Sequence, residues 1–304
     1  MYLKFVKRYL LPYLIATFVL CWALDFLFTK LIVLDTEISN TGKINHLITS
    51  DIETIPVFGS SRARCSYIPE ILSPYIYNYG LDGTSLWATC ALLNIEATKK
   101  STKPIIINFD YDFFAAIGDI KTYIPLCDNP SIKQLLVSRG LYKSYFKIPG
   151  IRYFNSFDYF IKEWLNQKFE TTKIVKRGYT FDKNQLFYNA ASFKKDVEQR
   201  QQSIREWRLD KKQNDLLIET IKSMPNRHFY IVAAPYHASY YKSISNIDAV
   251  KQYLHSLDSL PNVTSVDFCN HNYPDSLFNN TTHLNHWGAM RFSNELIKII
   301  NLNK

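Results

Sequence analysis

Glycine is scarce in this chain, nine residues in 304, and no low-complexity run interrupts it. That composition excludes a collagen-like or linker-rich chain. No segment repeats at a fixed period, which excludes a solenoid or propeller. There is no glycine-rich phosphate loop and no His/Cys/Asp/Glu cluster at metal-ligand spacing, so nothing calls for a nucleotide, a metal or another cofactor. The five cysteines (Cys21, Cys65, Cys90, Cys127 and Cys269) form no CxxC pair. They define no disulfide framework in a chain this long and read as small buried hydrophobes.

What is present is a folded composition: 47% apolar residues and 15% aromatic. The formal net charge of +9 does not point to nucleic acid. The basic residues are scattered and mixed with acids, as in Lys194-Lys195-Asp196 and Arg208-Leu209-Asp210-Lys211-Lys212. A scattered excess of this kind is a solvated surface.

Residues 9–34 contain the one long apolar run, and Leu10 to Leu24 carry no charge. About 20 apolar residues cross the hydrocarbon core of a bilayer. Lys4, Lys7 and Arg8 precede the run, so residues 1–8 are expected as a cytoplasmic tail, 9–34 as a single-pass anchor, and the rest as extracytoplasmic, periplasmic or on the cell surface. A cleaved signal peptide is the rival, but the run ends Asp25-Phe26-Leu27-Phe28 with no small-residue cleavage site.

After a polar linker at 35–53, the pattern becomes strand, loop, helix. Short apolar strands are expected at 54–58, 75–79, 104–109, 229–234 and 263–268, with helices at 85–98, 247–257 and 287–300. A long polar helix is expected over 195–223, and an aromatic-rich insertion over 113–195. Strands alternating with helices imply an α/β fold with a mainly parallel sheet covered on both faces.

Open parallel sheets place their sites beyond the carboxyl ends of the strands. Three segments qualify: Phe58-Gly59-Ser60-Ser61-Arg62, the loop from Asn78 to Ser85, and Asn279 to Asn285 before the last helix. A serine becomes nucleophilic when a base removes its proton and a third group fixes that base. Ser61, His283 and Asn280 supply those residue types.

These motifs resemble the SGNH (GDSL-like) hydrolases. Gly59-Ser60-Ser61 matches the block ending in the nucleophile. Asn78-Tyr79-Gly80-Leu81-Asp82-Gly83 matches the block whose glycine lends an oxyanion N–H. Asn280-Thr281-Thr282-His283-Leu284-Asn285-His286-Trp287-Gly288-Ala289 matches the closing block of membrane-linked relatives. The resemblance spans residues 54–112 and 226–300. It implies a flavodoxin-like three-layer sandwich and a catalytic set of Ser61, His283 and Asn280. The oxyanion hole would be formed by Ser61 and Gly83.

Two positions depart from that pattern. Asn280 stands where the family has Asp, leaving Asp275 or Asp267 as alternative partners of His283. The third block, Asn108-Phe109-Asp110-Tyr111-Asp112, offers no clear oxyanion asparagine. The resemblance implies a membrane-anchored serine esterase or O-acyltransferase acting on acyl, chiefly acetyl, esters of cell-surface glycans. The alternative it leaves is a catalytically degenerate domain that binds glycan or docks on a membrane-bound acyltransferase. The expected partners are the lipid bilayer, an acylated glycan and such an acyltransferase.

Overall fold

The computed structural model describes residues 5–34, 39–111, 118–169, 173–182, 188–269 and 271–302. It forms two compact units, Met1–Asn45 with Ile120–Glu170 and His46–Asp119 with Thr171–Lys304.

The first unit is built on one helical run, Val6–Val33. Its central α-helix is α1 (Leu11–Phe28), and a π-helical turn lies at each end. At 1.5 Å per residue the run is about 42 Å long. It has the length and apolarity of a membrane span or an N-terminal signal sequence, and most of it is exposed. Helix α2 (Asn40–Thr49) follows, within the stretch expected as a linker. Ser39 starts it by accepting the Gly42 N–H on its hydroxyl. Residues 35–38 of that stretch lie outside the described residues.

The second unit is an α/β domain around a five-stranded sheet. Its strands are β1 (Ile55–Phe58), β2 (Ile76–Asn78), β3 (Ile105–Asn108), β6 (Phe229–Ala233) and β7 (Val263–Asp267). They lie in the order β2-β1-β3-β6-β7, and every neighbouring pair is parallel. The three central strands are buried along their whole length. That accounts for their mainly apolar sequences, Ile105-Ile106-Ile107 and Phe-Tyr-Ile-Val-Ala among them, since both faces are covered. The edge strand β7 buries only Val263 and Val266. Between β3 and β6 an antiparallel hairpin, β4 (Lys173–Lys176) and β5 (Tyr179–Asp182), turns through Arg177 and Gly178 at positive φ. The Arg177 carbonyl accepts the Asn78 N–H at 2.9 Å, so the hairpin covers the β2 edge.

The covering helices form two groups. Helices α3 (Ser61–Ser66), α4 (Pro69–Leu72) and α12 (His286–Leu296) pack together, as do α5 (Leu86–Glu96) and α9 (Lys211–Lys222). Helices α10 (Ala238–Lys242) and α11 (Ile247–Ser256) also belong to this unit, and α6 (Pro130–Ser138) and α7 (Phe157–Phe169) to the first. One core cluster joins Val57, Ile106 and Val232 of the sheet to Phe292 and Leu296 of α12.

The single helix expected over 195–223 is instead two, α8 (Ala190–Gln201) and α9. Between them the backbone of Arg205 pairs with other partners: its N–H donates to Ser243 and its carbonyl accepts from Ser245, both at 2.8 Å. Asp210 then caps the restart by accepting the Gln213 N–H. All five cysteines are free thiols; Cys90, Cys127 and Cys269 are buried and Cys21 is exposed.

Candidate active site

The β1 strand runs straight into the site. Gly59 follows it at φ +145, where a side-chain Cβ would meet Ala63 and Asn108 at 2.9 Å. Glycine is therefore required for the chain to turn so closely past β3. Ser60 caps α3 by accepting the Arg62 N–H. Ser61 is the first residue of that helix, so its own N–H has no carbonyl partner within the helix.

Ser61 Oγ lies 2.7 Å from His283 Nε2. His283 Nδ1 in turn lies 3.0 Å from Asn280 Oδ1. The orientation of the Asn280 amide follows from its other contacts. The backbone N–H groups of Thr282 and His283 and the Thr282 hydroxyl all donate to the same Asn280 atom, at 2.9–3.0 Å. That atom is the carbonyl oxygen, and an oxygen there leaves Nδ1 as the proton donor. Nε2 is then the bare nitrogen facing the Ser61 hydroxyl, which is the tautomer a general base needs.

The two aspartates weighed against Asn280 are engaged elsewhere. Asp275 Oδ1 lies 3.0 Å from His237 Nε2. Asp267 Oδ1 accepts the Cys269 N–H. His286 opens α12, with Asn285 as its cap, and its Nδ1 lies 3.0 Å from the Tyr179 hydroxyl. Among the described residues no group of His, Cys, Asp and Glu is arranged to hold a metal ion.

Ser61, Arg62, Gly83, Asp110, Tyr236 and His283 share one cavity of about 170 Å³. Ser61, Asp110 and Tyr236 each lie two or three residues past the carboxyl end of β1, β3 or β6. Gly83, at φ +66, stands on the loop that Leu81 ties to the Gly59 carbonyl at 2.9 Å. Asn78, which begins this block, is buried and structural. Its amide nitrogen donates to the carbonyls of Ala63 and Tyr67, and its oxygen accepts the Gly80 N–H.

Beneath the cavity lies a buried cation that sequence reasoning missed. Arg62 donates to Asp110 Oδ1 at 2.7 Å, to the carbonyls of Ala234 and Pro235, and through Nε to the carbonyl of Thr282. Its guanidinium stacks 3.3 Å above the Tyr236 ring. Burial works against its charge, but Tyr236 and Asp110 outweigh burial and raise its pKa above the ordinary value. Asp110 Oδ2 is buried with no hydrogen-bond partner among the described residues. Asn108, in the third block, is fully buried; it donates to Asp110 and accepts from the Tyr67 hydroxyl. Asp112 of that block lies outside the described residues.

The histidine loop is held from a second direction. Thr281 is fully buried, its N–H donating to Asp196 of α8 at 2.7 Å and its hydroxyl accepting from Arg200. Burial first, then the positive charges of Arg62 and Arg64, pulls the His283 pKa down to about 4. The imidazole is accordingly neutral at physiological pH.

No protein-family model matches the chain, and no curated protein matches it.

Proposed function

We propose that the chain is a membrane-anchored, extracytoplasmic serine esterase or O-acyltransferase of the SGNH type. The observation that carries this reading is the line Ser61–His283–Asn280, with contacts of 2.7 and 3.0 Å and the histidine in its base tautomer. The strand order supports it. With the five strands of this sheet numbered in chain order, they lie side by side as 2-1-3-4-5, the flavodoxin-like arrangement, and the cavity sits beyond β1 and β3, where that order reverses.

In the reaction, Ser61 Oγ attacks the ester carbonyl while its proton passes to His283 Nε2. The N–H groups of Ser61 and Gly83 hold the resulting oxyanion. The intermediate collapses with loss of the alcohol, which takes the proton from His283, and leaves an acyl-Ser61. Water or a glycan hydroxyl then gives its proton to His283 and attacks the acyl carbon; as the bond to Ser61 Oγ breaks, that oxygen takes the proton back from His283 and the free serine is restored. Asn280 fixes the ring throughout but brings no charge to the imidazolium. A cavity of about 170 Å³ suits a short acyl group such as acetyl.

The anchored orientation rests on the basic residues ahead of the apolar helix. Asn280 in place of Asp, and the engagement of Asn108 in the core, favour the second reading, a non-catalytic glycan-binding or acyltransferase-docking domain. Turnover separates the two. Full-length protein in detergent is expected to release nitrophenol from 4-nitrophenyl acetate faster than from the octanoate, with the rate lost in Ser61→Ala. Folded protein that turns over neither ester, or a Ser61→Ala variant as active as the parent, contradicts the catalytic reading.

A further inference from the structure

The apolar helix carries an acid where a membrane span tolerates one poorly. Asp25 is only 5% exposed, because a segment from the far side of the chain closes over it. Arg152 grips the Asp25 carboxylate with Nε and a terminal nitrogen, and also donates to the Thr29 hydroxyl. The Gly150 N–H donates to Asp25 Oδ1 at 3.0 Å, and the Tyr153 and Thr29 hydroxyls lie 2.8 Å apart. A Cβ on Gly150 would sit 3.2 Å from that of Cys21, so this turn lies directly against the helix.

Helix geometry fixes the depth of these contacts. The charge-free run begins at Tyr9, after Arg8. At 1.5 Å per residue, Cys21 and Asp25 lie about 18 and 24 Å beyond it, within a hydrocarbon core about 30 Å thick. Whatever packs on Cys21 and Asp25 therefore stands in the half of the bilayer farther from the N-terminus.

The docked segment has the chemistry for that position. Asn155 apart, its outward side chains are apolar: Phe154 is 82% exposed, and Ile148, Ile151 and Phe157 are exposed as well. Its backbone closes on itself through local turns, Ile151 and Arg152 both donating to Ile148 and Phe154 to Ile151. Lipid demands such internal satisfaction, because it offers no hydrogen bonds. Charges at this depth persist when paired, as Asp25 and Arg152 are.

We propose that residues 148–157 enter the distal leaflet beside the apolar helix, clamped there by the Asp25–Arg152 pair, with Phe154 among the lipid acyl chains. The proposal rests on the apolar helix being a membrane span. It makes that helix a retained part of the fold, since its removal would strip Arg152, Gly150 and Tyr153 of their partners.

Photocrosslinking of the full-length chain in phosphatidylcholine–phosphatidylglycerol nanodiscs tests it. Benzoylphenylalanine is placed singly at Phe154, at Phe18 inside the helix, and at Ile204, an exposed residue of the α/β domain. Lipid adducts are then measured by mass. Adducts are expected at 18 and 154, at least tenfold above 204. Labelling at 18 with position 154 no better than 204 overturns the insertion and leaves the span standing. No labelling at 18 overturns the span, and the insertion with it.

Discussion

Ser61 Oγ and His283 Nε2 stand 2.7 Å apart although 222 residues separate them in sequence. The contact exists because β1 delivers Ser61 to the start of α3, while the loop before α12 is clamped by Asp196, Arg200 and Arg62. The geometry of this pair therefore depends on parts of the chain far from either residue, and several outcomes follow.

Asn280 is expected to orient His283 without stabilising its charge. Asn280→Ala should lower the acylation rate by up to about 10⁴, the loss that follows when a triad histidine is deprived of its orienting partner. Asn280→Asp should move the acid limb of the rate profile to higher pH, because a carboxylate at Nδ1 favours the imidazolium. Stopped-flow acylation from pH 3.5 to 8 reads both effects.

The parent profile has its own sign. The base must be unprotonated, and the His283 pKa is pulled down to about 4. Acylation should stay flat from pH 8 to 5 and fall as pH drops through 4. For stability, the unfolded histidine binds its proton near pH 6.5, before the folded one does. The His283 contribution is whole above that pH and is lost as pH falls through about 4. His283→Gln should flatten this part of the acid-unfolding curve measured by circular dichroism.

Arg62 holds charge balance beneath the cavity. Arg62→Met should destabilise the α/β domain by about 3–5 kcal/mol, because it leaves Asp110 buried and unpaired. The double variant Arg62→Met, Asp110→Leu should recover much of that loss, since a buried ion pair replaced as a unit is often near neutral. Urea unfolding midpoints of the three proteins decide the point.

Gly83 is held at φ +66, with no atom closer than 3.9 Å to where a Cβ would stand. Gly83→Ala should therefore fold, at a cost of about 1–2 kcal/mol for a left-handed alanine. If the strained loop takes its N–H away from the oxyanion, the rate falls by up to about 10²–10³. Thermal unfolding and turnover of this one variant separate the two effects.

Much of this arrangement was visible locally in the sequence. The central strands are short runs dominated by β-branched and aromatic residues, and Gly59-Ser60-Ser61 and Asn280 to Asn285 are short strings around their own turns. The rest depends on pairings that no local pattern records. Arg62 reaches Asp110, 48 residues on, and the carbonyl of Thr282, 220 residues on. Asp196 and Arg200 lie in a stretch whose composition suggests only a polar surface helix, yet they hold Thr281. The break between α8 and α9 was equally hidden, since it arises where Arg205 bonds to Ser243 and Ser245. The choice of Asn280 over Asp275 required knowing that Asp275 faces His237.

The most direct test of an activated Ser61 is labelling of the full-length protein with a fluorophosphonate, beside Ser61→Ala and His283→Ala. One equivalent of label on Ser61, absent in the first variant and slowed by several orders of magnitude in the second, is the expected result. Folded parent protein that takes no label, or labelling that survives Ser61→Ala, would contradict the account.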